Sequence, residues 1–144
     1  MKWKSVAGTA FGFAVSAVFC LSGTAAASDD TAEQGARVGP PVGAPCSQGR
    51  GTHACFEKSG DKFWVKDTGK DGWFPRVYWT YKGSELVWEG SCSDHLGSDA
   101  GWTSCSFADE IAENKTIYFQ AFNMVSDNVE APEMQGPGVY AKTS

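Results

Sequence analysis

In DKFWVKDTGKDGWFPRVYWTYK, residues 61–82, Phe63 and Val65, and then Val77, Trp79 and Tyr81, recur at every second position on either side of the Asp- and Gly-rich segment 67–72. A period of two puts alternate side chains on opposite faces of a pleated sheet. The intervening segment is made of residues that tolerate left-handed backbone, so it reads as the turn between two antiparallel strands. The same alternation returns in TIYFQAF, residues 116–122. Strands are expected at 53–58, 62–67, 74–82, 85–89, 102–107, 115–125 and 138–142, with turn signals every ten residues or so. Only 107–113 could hold a helical turn. The fold class is therefore all-β, a small antiparallel β-sandwich with two disulfides and an extended N-terminal arm.

The N-terminus has a different grammar. Lys2 and Lys4 precede an apolar, small-residue run from Val6 to Leu21, and Ala25-Ala26-Ala27 is an A-x-A exit, so residues 1–27 are expected to be a secretory signal peptide. Its removal leaves 10 basic against 17 acidic residues, a formal charge of −7. So acidic a chain is a poor match for nucleic acid or an anionic membrane, both of which call for clustered Lys and Arg. About 117 residues suffice for one domain with a modest core. The expected destination is extracellular.

Cys46, Cys55, Cys92 and Cys105 lie beyond that cut. An even count in a small exported chain reads as two disulfides, and four cysteines allow three connectivities. Our expectation is the local pairing, Cys46 with Cys55 and Cys92 with Cys105. Zinc is disfavoured because no C-x-x-C occurs and the two histidines stand far apart. As an EF-hand loop the segment from Asp67 to Asp71 fails, since Gly69 takes the third ligand position and Tyr78 the twelfth. No metal or other cofactor is expected.

Ser93-Asp94-His95 brings three catalytic residue types together, yet no G-x-S-x-G elbow accompanies it. Asp109-Glu110 lies in a turn, and a chain this short can hardly wall the cleft a glycosidase needs. The chain is not expected to be an enzyme. Aromatic residues on both faces of the strand around Trp79 suggest that one face is core and the other a contact surface. Exposed Trp and Tyr stack on sugar rings and also anchor protein interfaces, and the sequence leaves both open.

Residues 28–45, SDDTAEQGARVGPPVGAP, cannot build a core and are expected to form a flexible extended arm, followed by the sandwich domain at 46–144. Within it Arg37, Val38, Pro40 and Pro41 make a proline-stiffened segment with one long basic side chain. Such a segment can enter a protease-like cleft by adding main-chain hydrogen bonds to a sheet edge.

Phe56, Gly60, Asp61, Phe63, Val65, Asp67, Asp71, Gly72 and Trp79, together with GSCSDHLGSDAGWTSCSF (90–107) and KTIYFQAFN (115–123), resemble a group of small secreted actinobacterial β-proteins. The resemblance covers about residues 54–123 and extends to the adaptor subunit of umbrella toxin particles. It implies an antibacterial toxin assembly in which an adaptor joins a lectin-bearing subunit with a protease-like domain to a repeat-containing stalk protein. The arm residues Arg37, Val38, Pro40 and Pro41 would dock in the first partner, and Trp73 and Tyr78 would meet the second. A serine protease inhibitor and a carbohydrate-binding module are the alternative readings.

Overall fold

The computed structural model describes residues 33–36, 39–84, 87–127, 129–130 and 135–144. Among these residues ten strands follow in chain order: β1 (Glu33–Ala36), β2 (Cys46–Gly49), β3 (Thr52–Glu57), β4 (Lys62–Asp67), β5 (Phe74–Tyr81), β6 (Gly90–Ser93), β7 (Trp102–Ser106), β8 (Thr116–Ser126), β9 (Val129–Glu130) and β10 (Val139–Lys142). They form two antiparallel sheets, one ordered β1-β7-β4-β3-β2 and the other β10-β8-β5-β6, with β9 paired to β8. No helix among the described residues is long and apolar enough to cross a membrane.

Alternation sets the inner layer. Ala54, Phe56, Phe63 and Val65 from the first sheet meet Val77, Trp79, Ile117, Phe119 and Ala121 from the second, all of them buried. Phe63 is the hub, with its ring 5.0 Å from Phe56, 5.8 Å from Phe107 and 5.3 Å from Phe119. Among the described residues the core cluster holds one tryptophan, Trp79, beside Phe56, Phe63, Phe107 and Phe119. Trp64 is also buried, but on the outside of its sheet, where its indole donates to Glu57 at 2.8 Å.

Both expected disulfides form. Cys46 and Cys55 face each other across the β2–β3 ladder, whereas Cys92–Cys105 joins β6 in one sheet to β7 in the other. Two disulfides are consistent with an extracellular protein. The expected helical turn is a single turn closed by the Ile111 amide donating to the Phe107 carbonyl at 2.8 Å, and it tucks Ile111 into the core.

Two local expectations differ from what is found. Of the strand placed at 85–89, residues 87–89 are described and lie outside any strand, and the pairing with β5 begins at Gly90. A Cβ at Gly90 would lie 2.6 Å from the Trp79 indole nitrogen, so only glycine lets the chain pair beside that ring. Strand β2, with no apolar alternation, was not foreseen. It is held by the disulfide and by Ser47, whose buried hydroxyl donates to the Pro137 carbonyl at 2.7 Å and accepts from the Ala121 amide at 3.0 Å.

Candidate functional site

Ahead of Cys46, residues 33–36 and 39–45 are described, and both stretches lie on the domain. Glu33–Ala36 pairs with β7, adding a strand to that edge, with a register shift between Gln34 and Ala36. Arg37 and Val38 lie outside the described residues. Gly39 passes so close to Trp102 that a Cβ there would meet the indole nitrogen at 2.6 Å. Pro40 is half-buried and Pro41 exposed. A tight turn follows, closed by the Ala44 amide donating to the Pro41 carbonyl at 3.1 Å, with Gly43 in left-handed backbone at φ 84°. That turn holds Val42 wholly in solvent, at 107% relative exposure. Its far end is fixed, because the Pro45 carbonyl accepts the amide of buried Phe56 at 3.0 Å.

At one end of the sandwich residues 67–72 connect β4 to β5 as the sequence proposed, but the two strands belong to different sheets and do not pair, so the segment is a crossing between sheets, organised by its own aspartates. The Asp67 carboxylate accepts from the Gly69 amide at 2.8 Å, and the Asp71 carboxylate accepts from the Trp73 amide at 3.0 Å and from the Asn123 side chain at 3.0 Å. The turn lines a cleft of about 380 Å³ with Trp73, Phe74, Asp94 and His95. Ser93, Asp94 and His95 are each committed elsewhere. Ser93 accepts from the Arg76 guanidinium at 2.6 Å, the Asp94 carboxylate accepts from the Asp67 and Leu96 amides, and the His95 ring packs on Phe74 at 4.3 Å. Cys46, His53 and Cys55 also lie within 4.8 Å of one another, but both cysteine sulfurs are joined in the disulfide.

Burial, reinforced by the charges of Asp71, Asp94 and Asp99, holds the Asp67 carboxyl above its ordinary range, against the pull of the Gly69 amide. A carboxyl whose pKa is raised by folding favours the folded state at low pH, and that contribution is lost as pH rises through the folded value. Asp67→Asn keeps an acceptor for Gly69 and removes the charge. Its urea midpoint is expected to exceed that of the parent at about pH 7 and to converge with it below about pH 4. A variant that is less stable at neutral pH would show that the charge is compensated. His53 has the opposite sense, because burial and then Lys66 lower its pKa. Folding therefore loses stability as pH falls from about 6.5 toward that lower value.

The outer face of the second sheet carries a second aromatic layer, distinct from the core. Tyr78 on β5, Tyr118 and Phe122 on β8, and Tyr140 on β10 stand on this face, with Trp88 reaching over it from the β5–β6 connection. The Trp88 ring lies 5.5 Å from Tyr78 and 6.1 Å from Tyr118, at 28° and 13° to their planes. Arg76 closes one end, buried to 7% exposure, donating to Ser93, to the Tyr78 hydroxyl and to Asp127, its ion-pair partner at 2.9 Å. On the first sheet, by contrast, Lys62 and Lys66 lie over the outward Trp64 and Trp102.

Of the residues expected to meet partners, Tyr78 therefore belongs to the aromatic sheet face, while Trp73 lines the cleft at the loop end. They do not form one patch. Val42, Trp88, Tyr118 and Tyr140 were not singled out from sequence. The alternation of β8 carried a signal for Tyr118; Trp88, in a segment without strand geometry, had none. Compared with known protein families, with curated proteins and with solved structures, the chain matches none of them.

Proposed function

We propose that this is a secreted, non-enzymatic protein-binding module that works as an adaptor between other secreted proteins. The observation that carries this reading is the presentation of the N-terminal segment. Anchored at Pro45 and at the Cys46–Cys55 bridge, it projects Pro41 and the fully exposed Val42 from the sheet and leads back toward Arg37. A turn fixed at its base presents Pro41 and Val42 at a smaller entropic cost than a free segment would. Its resemblance to the umbrella toxin adaptor gives the partners their kind. Arg37, Val38, Pro40 and Pro41 enter a protease-like cleft on a lectin-bearing subunit, and the aromatic face at Tyr78 meets the repeat-built stalk protein of an antibacterial particle.

The test is affinity capture from the producer's own culture medium. The full chain is expected to retain two large partners, one lectin-bearing and one repeat-containing. Removing residues 28–38 should abolish capture of the first and leave the second. The cut stops at 38 because Gly39 packs against Trp102 and Pro45 supplies the Phe56 amide with its acceptor. Capture of both partners by the shortened chain would overturn the role of the arm. Capture of an active serine protease alone would replace the adaptor with an inhibitor.

A further inference from the structure

Beyond Tyr78, at the opposite end of the same sheet face, two clefts of about 440 and 530 Å³ share Tyr81 and Lys82 in their walls. The first is lined by Thr80, Tyr118 and Tyr140, the second by Lys115 and Asn114. Thr80 is 3% exposed and its hydroxyl has no hydrogen-bond partner. The oxygen is itself buried, so a polar group that enters the cleft beside Thr80 would supply the partner it lacks. Tyr140 is 59% exposed, its ring 5.2 Å from Tyr118 and tilted 55° to it. The Lys82 ammonium sits 5.6 Å over the Tyr140 ring. Lys142 shares the outward side of β10 with Tyr140, and its register partner Thr116 lines the second cleft. Among the described residues none of Lys82, Lys115 and Lys142 makes an ion pair.

An aromatic wall, one unsatisfied hydroxyl and uncompensated ammonium groups set the chemistry of a ligand. It has a flat apolar face, hydroxyls, and a negative charge at its margin. We propose that this corner binds a carboxylated saccharide, with one sugar ring against Tyr140 and Tyr118, a ring hydroxyl on Thr80, and the carboxylate on Lys82. Mostly apolar clefts with a few placed polar groups are the usual form of small-ligand sites, and a charge-assisted contact to a carboxylate supplies the selectivity. The acidic surface of the chain as a whole disfavours densely charged polymers such as a polysulfate or a nucleic acid, whereas a short uronic-type oligosaccharide carries one carboxylate per ring and brings few charges to the site. The site uses neither the arm nor Tyr78, but Tyr118 and Tyr140 lie on the aromatic face that the adaptor reading gives to the stalk protein, so oligosaccharide binding is measured on the isolated chain, where failure of the one reading leaves the other standing.

Calorimetric titration of the full chain with tetragalacturonate, and with cellotetraose as the neutral control, tests it. The acidic oligosaccharide is expected to bind at least about tenfold more tightly than the neutral one, and Tyr140→Ala and Lys82→Ala should each weaken it by about tenfold. Thr80→Val removes a hydroxyl that has no partner in the folded protein, so it should keep the stability while weakening binding severalfold. Equal affinity for both oligosaccharides, no binding of either, or a Tyr140→Ala variant that binds as the parent does would overturn the assignment.

Discussion

Phe63→Ala is expected to cost about 3–5 kcal/mol of folding stability. The ring is wholly buried and packs on Phe56 from its own sheet, Phe119 from the facing sheet and Phe107 from the turn after β7. Its removal opens a cavity that spans both layers. Collapse is resisted because β4 is hydrogen-bonded on both sides, to β3 and to β7, and cannot move inward without breaking two ladders. A domain of this size has about 5–15 kcal/mol in total, so the variant sits near the edge of folding. Urea denaturation followed by tryptophan fluorescence measures the loss. Tyr140→Ala, on the exposed outer face, is the control and should change stability by less than about 0.5 kcal/mol. A loss under about 1 kcal/mol for Phe63→Ala would mean that the two sheets do not meet where the structure packs them.

That hub was legible in the sequence, and the reason is local. Phe63 and Val65 alternate with Lys62, Trp64 and Lys66, and β4 was placed at both of its ends from that pattern alone. The 67–72 turn likewise follows from residues that bond to their own backbone, as Asp67 does to Gly69 and Asp71 to Trp73. What escaped depends on distant partners. Strand β2 exists because Ser47 bridges to Pro137 and Ala121, far along the chain. Glycine at position 90 answers to the Trp79 ring beside it on β5, and the aromatic outer face needs Trp88 to reach back over β8. Local alternation identified one aromatic face as core but could not tell which neighbours the other face would gather. Trp73 and Tyr78 show the same limit. Only five positions separate them in sequence, yet the strand's departure from the loop sends them to different surfaces.

Replacing both Cys92 and Cys105 with alanine is expected to cost about 3–4 kcal/mol, and replacing both Cys46 and Cys55 about 2–3 kcal/mol. Loop length does not separate them. The spans are 13 and 9 residues, and closure entropy grows only with the logarithm of length, so either bridge contributes about 3 kcal/mol on that ground. Location decides. Cys46 and Cys55 occupy opposed positions on two strands that already share a ladder, so hydrogen bonds and the Ser47 bridge still hold β2 when the sulfurs are gone. Cys92 and Cys105 belong to different sheets, are 0% and 2% exposed, and form part of the core between them. Alanine there loses the covalent tie and leaves a void beside Val77 and Phe63, the register partners of the two cysteines. Alanine is preferred to serine, which would bury a new hydroxyl. Thermal unfolding of the two double variants under one buffer condition gives the comparison. Equal losses would assign all of the stabilisation to the unfolded chain, and a larger loss at Cys46–Cys55 would make β2, with the arm it anchors, the more fragile part of the fold.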